Sequence, residues 1–229
     1  MNNLAIITAR SGSKRLPDKN IKELNGIPLM AYSIQAALKS GKFSHVMVST
    51  DSPLYAEIAK KHGAEVPFLR DVSTSGDSAS SWDTLREVVR NYKEMGLEFD
   101  TVTLLQPTSP LRAPEDIIGA FELYQEKNAT CVATCCKMEY SPIVSNTLPE
   151  SLCMDGFLAR LADYPTRPLP TYYRLNGSVY IVDVNLLMSG KSIYDANSYA
   201  YLMSNERSVD IDTELDFVIA EAVMNEILK

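Results

Sequence analysis

The sequence predicts an α/β protein with a Rossmann-like, doubly wound, mostly parallel sheet. Short β-rich apolar segments alternate with longer amphipathic segments along the chain. Such alternation is typical of parallel strands that are joined by crossover helices on both faces of a sheet. The chain has 229 residues, of which 45% are hydrophobic, and this is enough to bury the core of one large domain. We therefore expect one domain over residues 1–229.

The individual elements follow from local patterns. "NLAIITA" (3–9) predicts the first strand, and a helix is expected between Pro28 and Gly41, since proline suits a first helical turn and glycine a helix end. A further helix is expected over 52–63, and others around Leu85–Tyr92 and after Pro114. The remaining predicted strands are 45–50, 101–106, 129–136, 177–184, 198–203 and 208–212.

The last helix is predicted over 213–229, with Thr213 as its N-cap. Apolar residues recur along it at helical spacing, so we expect this stripe to face the core. The stripe comprises Leu215, Val218, Ile219, Ala222 and Val223.

Residues 137–173 break the alternation. This segment contains five prolines and scattered tyrosines, with no clean hydrophobic period. We interpret it as a small inserted segment within the single domain.

Composition excludes several functional classes. Twenty-two Lys and Arg stand against 29 Asp and Glu, a net charge of −7, which argues against a nucleic-acid or anionic-membrane binder. No apolar run approaches the roughly 20 residues that span a bilayer, and the first residues lack a signal-peptide layout, so we expect a cytoplasmic protein. Four cysteines without a C-x-x-C pair, and two histidines, disfavour a zinc site and favour reduced, buried thiols.

The segment "TARSGSKRLPDKN" (8–20) concentrates cations at the carboxyl end of the first strand, where open α/β sheets bind ligands. Gly12 and the serines beside it let backbone N–H groups approach an anion, and Arg10, Lys14 and Lys19 add positive charge. This composition suits a triphosphate, although it matches neither a P-loop nor a dinucleotide fingerprint. The alternative is a solvated surface turn.

"SVDID" (208–212) predicts a carboxylate pair. In an extended segment Asp210 and Asp212 point to one side, while Val209 and Ile211 point to the other. Mg²⁺ binds through one or two carboxylates together with phosphate oxygens and waters, so a D-x-D near a phosphate loop predicts a magnesium site. The alternative is an acidic helix start, which helix dipoles favour.

Several motifs together resemble the acylneuraminate cytidylyltransferases. They follow one another in the order of that family and cover nearly the whole chain: "ARSGSKRLPDKN" (9–20), "VSTD" (48–51), "LRDVSTSGDSASS" (69–81), "LLQPTSPLR" (104–112), "RLNGSVYI" (174–181) and "SVDIDTELDF" (208–217). The resemblance implies a fold of the nucleotide-diphospho-sugar transferase type. It also implies transfer of CMP from CTP to the anomeric hydroxyl of a nonulosonic, sialic-type acid, with release of pyrophosphate.

Carried over by position, the resemblance also implies roles for single residues. It assigns phosphate contacts to Arg10, Lys14 and Lys19, and these three residues together with Asp212 form the catalytic set. It assigns Mg²⁺, or Mn²⁺ in its place, to Asp210 and Asp212. The nucleotide-binding set is Ala9, Arg10, Lys14, Lys19, Asn20, Arg70 and Ser80, and the sugar-binding set is Gln106, Thr108, Ser109 and Arg174.

One departure leaves the sugar open. Members that use sialic acid are expected to carry a lysine shortly after the proline that Pro142 matches, and this chain has Val144 there. Legionaminic, pseudaminic and 3-deoxy-manno-octulosonic acids are therefore alternative substrates. The resemblance also implies a homodimer in which the 137–173 segment crosses to the partner. An inactive nucleotide-binding scaffold is a rival hypothesis, and it is disfavoured because Lys14, Asp210 and Asp212 are all present.

Overall fold

The computed structural model describes residues 1–13, 15–71, 74, 76, 80–159 and 169–227. Its main feature is a six-stranded sheet. The strands, with a small separate hairpin formed by β2 and β3, are β1 (Asn3–Thr8), β2 (Glu23–Leu24), β3 (Ile27–Pro28), β4 (His45–Ser49), β5 (Thr101–Leu104), β6 (Cys131–Lys137), β7 (Tyr173–Asp183) and β8 (Ser198–Leu202).

The strand order in the large sheet is β4-β1-β5-β7-β6-β8. β1 pairs in parallel with β4 and β5, and β6 pairs in parallel with β8, which confirms the mostly parallel sheet. β7 is antiparallel to both β5 and β6. The described part of the insertion that joins β6 to β7 contains no crossover helix, and β7 returns beside β6 in the opposite direction.

Helices cover both faces of this sheet. They are α1 (Leu29–Ser40), α2 (Pro53–Lys61), α3 (Ser81–Glu94), α4 (Pro114–Glu126), α5 (Val184–Met188) and α6 (Glu214–Ile227). On one face α1, α2 and α4 pack on strand residues such as Ile7 and Val132. On the other face α3 and α5 pack on Ile6 and Leu104. The doubly wound arrangement predicted from the sequence is confirmed.

The face that α6 buries differs from the prediction. Phe217, Ala220 and Met224 are buried against Ile211 and neighbouring leucines, whereas Leu215 and Val218 are 67% and 60% exposed. The predicted stripe was therefore wrong. This helix is apolar on most of its circumference, so periodicity alone could not select the buried face.

The N-cap prediction for α6 is confirmed. The Asp216 N–H donates to Thr213 Oγ1 at 3.3 Å, and the Asp216 carboxylate accepts the Thr213 N–H at 2.7 Å. This reciprocal pair satisfies backbone donors at the helix start.

The strand predicted at 208–212 was also wrong. A 3-10 helix spans Glu206–Ser208, and the following residues are extended without joining the sheet. The Ile211 N–H donates instead to the Thr108 carbonyl at 2.8 Å. The predicted alternation nevertheless holds, because Ile211 is buried and Asp210 is exposed.

The predicted insertion coincides with the chain between two strands, since β6 ends at Lys137 and β7 begins at Tyr173. Its described part contains one short 3-10 helix (Pro142–Val144) and otherwise turns and irregular backbone. Several of its apolar side chains face solvent, with Tyr140 at 76% exposure. Cys153 is also exposed, in contrast to the expectation of buried thiols, which holds for Cys131 and Cys136. In the described part of the chain, no helix combines the length and the apolarity that crossing a membrane requires.

Candidate active site

A polar cleft of about 330 Å³ lies where β1 and β5 end. The segment that follows β1 contributes Arg10 and Lys19, and the turn that follows β5 contributes Gln106 and Thr108. The carboxyl ends of these parallel strands meet at one edge of the sheet, which is where α/β folds place ligands. The cleft is lined by Thr8, Arg10, Ser13, Lys19, Asn20, Gln106, Pro107, Thr108, Asp210 and Asp212.

The cationic segment and the carboxylate pair meet in this cleft. The buried Lys19 ammonium donates to Asp212 Oδ1 at 2.9 Å and to the Ile211 carbonyl at 2.7 Å. The other oxygen, Asp212 Oδ2, accepts from the exposed Arg15 guanidinium at 3.1 Å. Two segments separated by almost 200 residues in the chain thus meet in one cleft.

Asp210 is held differently from Asp212. Desolvation by the cleft walls and the charge of Asp212 raise the pKa of Asp210, while a hydrogen bond from the Thr108 hydroxyl and the charges of Lys19 and Arg174 oppose the increase. The Thr108 backbone carbonyl also receives the Ile211 N–H. The turn after β5 therefore fixes the D-x-D segment from two directions.

The cationic segment is fastened to the rest of the protein by Asp51. Its carboxylate accepts the Ser11 N–H at 2.8 Å and the Ser11 hydroxyl at 2.9 Å. Burial alone would raise the pKa of Asp51, but these two bonds and the charge of Arg70 outweigh it and the pKa lies below its usual value. Asn20 closes the other end, where its Nδ2 donates to the Arg10 carbonyl at 3.0 Å.

An adjoining cavity of about 210 Å³ shares Thr8 and Arg10 with the cleft. Arg70 is buried at its wall, where Nε donates to Ser49 Oγ at 2.9 Å and one terminal nitrogen donates to the Ser49 carbonyl at 2.7 Å. Burial lowers the pKa of Arg70 to about 10, so the guanidinium stays charged at neutral pH. This cavity, next to the cationic cleft, is large enough for a flat polar ring.

A glycine at position 177 leaves room for the side chain of the cleft residue Gln106. Gly177 has a φ of +75°, and a Cβ there would lie 2.2 Å from Gln106 Oε1. The glycine therefore lets the Gln106 side chain lie directly against β7. Ser109 of the same turn is buried and its hydroxyl donates to the Asn176 carbonyl at 3.3 Å, so it braces the turn from inside the protein.

Arg174 lines another cavity, of about 360 Å³, between the insertion and the segment before Asp210. Its guanidinium donates to the Ser208 carbonyl at 3.1 Å. Lys137, Glu139 and Tyr140 share the lining. The charge of Arg174 acts on Asp210, which places this cavity beside the carboxylate end of the cleft.

Comparison with known proteins agrees with this geometry. A family model described as "Cytidylyltransferase" matches residues 4–154. The chain belongs to the cytidylyltransferase family. It is 36% identical to the CMP-N,N'-diacetyllegionaminic acid synthase of Legionella pneumophila, over 96% of this chain and 95% of that protein. It is also 36% identical to the N-acylneuraminate cytidylyltransferase of Streptococcus agalactiae, over 95% of this chain but 52% of that longer protein.

A solved structure supports the fold assignment. The CMP:2-keto-3-deoxy-manno-octonic acid synthetase, determined in complex with CTP, superimposes with a TM-score of 0.74 at 17% identity. The match covers 99% of this chain and all of that one. This cytidylyltransferase family member thus has the nucleotidyltransferase fold that the sequence motifs predicted.

Most of the predicted site residues gather at this edge of the sheet. Arg10, Lys19, Asn20, Gln106, Thr108, Asp210 and Asp212 line the cleft, and Arg70 and Arg174 line the flanking cavities. Lys14 lies outside the described residues. Ser80 caps α3, with its Oγ accepting the Trp82 N–H at 3.2 Å, and the Ala9 N–H donates to the Ser49 carbonyl at 2.9 Å.

Sequence reasoning missed the partners that hold these residues. Arg15 and Asp51 were not singled out, although both belong to the motifs "ARSGSKRLPDKN" and "VSTD". The motif context was the available signal for Asp51, because a carboxylate at a neighbouring strand end can reach the N–H groups of a phosphate loop. The Arg15 ion pair depends on a tertiary contact that no local pattern contains.

The two carboxylates fit a hard divalent cation. Within the described residues, no group of three or more His, Cys, Asp or Glu side chains is placed to hold a metal. Asp210 and Asp212 would supply carboxylate oxygens, and the rest of an octahedral shell would come from phosphate oxygens and waters, as Mg²⁺ prefers.

Proposed function

We propose that this protein transfers CMP from CTP to the anomeric hydroxyl of a nonulosonic acid and releases pyrophosphate. The observation that carries the proposal is the single cleft in which Arg10 and Lys19 face Asp210 and Asp212. A cationic wall opposite a carboxylate pair suits a nucleoside triphosphate and its divalent cation. Family membership and the legionaminate and neuraminate relatives support the choice of CTP and of an acidic nine-carbon sugar.

The adjoining cavity is proposed to hold the cytosine. It opens from the cleft at Thr8 and Arg10, so a base there would place the triphosphate along the cationic segment. Arg70, fixed by Ser49, presents guanidinium nitrogens suited to the O2 carbonyl of cytosine.

Mg²⁺ is proposed to bind Asp210 and Asp212, with Mn²⁺ able to replace it. When bound, the cation neutralises charge on the phosphates and on the departing pyrophosphate. Lys19 holds the Asp212 carboxylate in place, and Thr108 does the same for Asp210. Both carboxylates are therefore held before substrate arrives, and a cation bound there would share the Asp212 oxygens with Lys19 and Arg15.

The acceptor sugar is proposed to lie between Gln106 and Arg174. Gln106 lies on the β5 side of the cleft, and Arg174 lies beyond Asp210, so a sugar between them would bring its anomeric hydroxyl to the α-phosphorus. The hydroxyl oxygen attacks in line, the bond between the α-phosphorus and the oxygen that bridges it to the β-phosphate breaks, pyrophosphate leaves with that oxygen, and the hydroxyl proton passes to water. The guanidinium of Arg174 matches the planar carboxylate of the sugar.

The legionaminic acid alternative has a specific observation in its favour. Val144 stands where a sialic-acid member is expected to carry lysine, and the legionaminate synthase is matched over nearly its full length. Among the nonulosonic acids, we propose N-acetylneuraminic acid as the first candidate acceptor and legionaminic and related acids as the second.

The insertion is proposed to form a homodimer interface in a cytoplasmic enzyme. Its exposed apolar side chains include Tyr140, Leu148, Leu152 and Met154, an uncommon density for a free surface. Sedimentation velocity at micromolar concentration would show a dimer, and a monomer throughout would refute this part of the proposal.

The test of the reaction is pyrophosphate release from CTP and Mg²⁺ with a panel of acceptors: N-acetylneuraminic, legionaminic, pseudaminic and 3-deoxy-manno-octulosonic acids. We expect turnover with at least one nine-carbon acid, and its loss in Asp212→Asn. Glu214→Gln is the matched control, because Glu214 is a nearby exposed acid that does not line the cleft. No turnover with any nine-carbon acid, or turnover with octulosonate alone, would overturn the substrate assignment.

A further inference from the structure

Arg112 is buried away from the cleft, at the end of the turn that follows β5. Its Nε donates to the Ser178 carbonyl at 2.7 Å, one terminal nitrogen donates to Ser33 Oγ at 3.0 Å, and the other donates to the Gln106 carbonyl at 2.8 Å. Ser33 Oγ in turn donates to the Gln106 carbonyl at 3.2 Å. One guanidinium thus joins α1, β7 and the cleft turn.

Stability alone does not explain an arginine at this position. Burying a charged group is unfavourable unless it is compensated, and within the described part of the chain Arg112 forms no ion pair, although the charge of Asp116 acts on it. Burial lowers the pKa of Arg112 to about 9, so the group still carries its charge at neutral pH. Neutral side chains could fill this space, but the guanidinium carries its donors in a wide, rigid, planar fork that reaches acceptors on three separate segments.

The turn that Arg112 holds supplies two functional contacts to the cleft. The side chain of Gln106 lines the cleft, and its backbone carbonyl is the one that Arg112 binds. Two residues further on, Thr108 bonds Asp210 through its hydroxyl and the Ile211 N–H through its carbonyl. The position of this short turn therefore sets both the acceptor side of the cleft and the D-x-D segment.

We propose that Arg112 is a positioning residue that fixes the Gln106–Thr108 turn and thereby determines the affinity for the acceptor sugar. It touches no substrate itself and acts through Gln106 and Thr108. The proposal rests on the proposed function of the cleft, because the sugar is placed against Gln106. The cavity assigned to cytosine does not include this turn, so contacts to the base do not depend on Arg112.

The test compares Arg112→Lys with Ser33→Ala and a control, Arg86→Lys. Lysine keeps the charge but not the three-way fork, and alanine at 33 removes a single arm. Arg86 is a matched arginine on the opposite helical layer, where it donates to the Leu187 carbonyl and to Asp83. For Arg112→Lys we expect the acceptor KM to rise about tenfold or more, the loss of one charge-assisted hydrogen bond being about 1.4 kcal/mol.

Ser33→Ala should raise the acceptor KM less than Arg112→Lys does, and Arg86→Lys should leave it unchanged. CTP affinity, measured by calorimetry without acceptor and without divalent cation, should stay within about twofold in all three variants. A purely structural role would lower the melting temperature of Arg112→Lys while leaving the acceptor KM of the folded fraction unchanged, and that result would overturn the proposal. Ser33→Ala keeps the test available should Arg112→Lys fold poorly.

Hydrogen exchange separates this proposal from the proposed function. The Ile211 amide is held by the Thr108 carbonyl at 2.8 Å, so its exchange should accelerate in Arg112→Lys and Ser33→Ala but not in Arg86→Lys. If no acid of the panel is turned over but this acceleration occurs, the substrate assignment fails and the positioning role stands. Unchanged exchange together with an unchanged acceptor KM would refute the positioning role.

Discussion

Gly177→Ala tests the role proposed for Gln106 on the acceptor side of the cleft. The added methyl group would lie 2.2 Å from Gln106 Oε1, far inside van der Waals contact, so the Gln106 side chain must leave its place. The backbone at 177 has a φ of +75°, which alanine adopts unfavourably. The substitution therefore combines a backbone effect with a displacement of one cleft residue.

Gly190→Ala provides the matched control for the backbone effect. Gly190 follows α5, has a φ of +70°, and a Cβ there would meet nothing within 4 Å. The left-handed conformation disfavours a non-glycine residue by about 1–2 kcal/mol at either position. For a chain of this size that corresponds to a decrease of about 2–8 °C in melting temperature, and we expect at least this in both variants.

The two variants should differ in kinetics. If Gln106 bonds the acceptor as proposed, displacing it removes hydrogen bonds worth about 0.5–1.5 kcal/mol each, so the acceptor KM of Gly177→Ala should rise about twofold to tenfold or more. The KM for CTP should be unchanged, because the cytosine cavity lies on the other side of Arg10. Pyrophosphate release at varied acceptor concentration measures this. An unchanged acceptor KM in Gly177→Ala, or an equal rise in Gly190→Ala, would refute the role assigned to Gln106.

Three further predictions concern the nucleotide end. In the folded protein the pKa of Asp51 lies below its ordinary value of 3.8. The ionised Asp51 carboxylate therefore stabilises the fold fully above pH 3.8, and this stabilisation is lost as the pH falls through the lower pKa of the folded state. Asp51→Asn should accordingly be less stable than wild type at pH 7 in urea titrations and approach it under acid conditions, and a constant difference at every pH would contradict the linkage. Arg70→Met should raise the KM for CTP about tenfold or more with little effect on the acceptor KM, whereas a rise in the acceptor KM alone would contradict the cytosine assignment. Asp212→Asn should abolish tight Mn²⁺ binding in the presence of CTP, as measured by electron paramagnetic resonance, whereas Glu214→Gln should retain it. Tight binding by both variants would show that Asp212 is not a metal ligand.

The position of the site could be predicted from the sequence because its motifs follow strands. "NLAIITA" is read reliably as a buried strand, and in an α/β fold the residues after it lie at the ligand-binding edge. The D-x-D pair needed only the alternation of Ile211 and its neighbours, which survived even though the segment is not a strand. Charge and extended alternation are local properties, and they identified the two segments; the family resemblance, and no local pattern, predicted that Lys19 and Asp212 belong to one site.

Tertiary contacts decided the features that the sequence did not reveal. α6 presents apolar residues on several sides, and only its packing against Leu111 and Ile211 selects Phe217 over Leu215. The reversed direction of β7 depends on the irregular insertion before it. The three partners of Arg112 come from segments far apart in the chain, so no spacing rule could identify it as more than a charged residue after a turn.

The proposed function depends most on the positions of the triphosphate and of the divalent cation in the cleft. A crystal of this protein grown with CTP and Mn²⁺, with anomalous diffraction recorded at the manganese edge, tests it most directly. We predict a manganese peak within bonding distance of Asp210 and Asp212, and phosphates between that peak and Arg10. A triphosphate bound in the cavity of Arg174, or a manganese remote from both aspartates, would contradict the account.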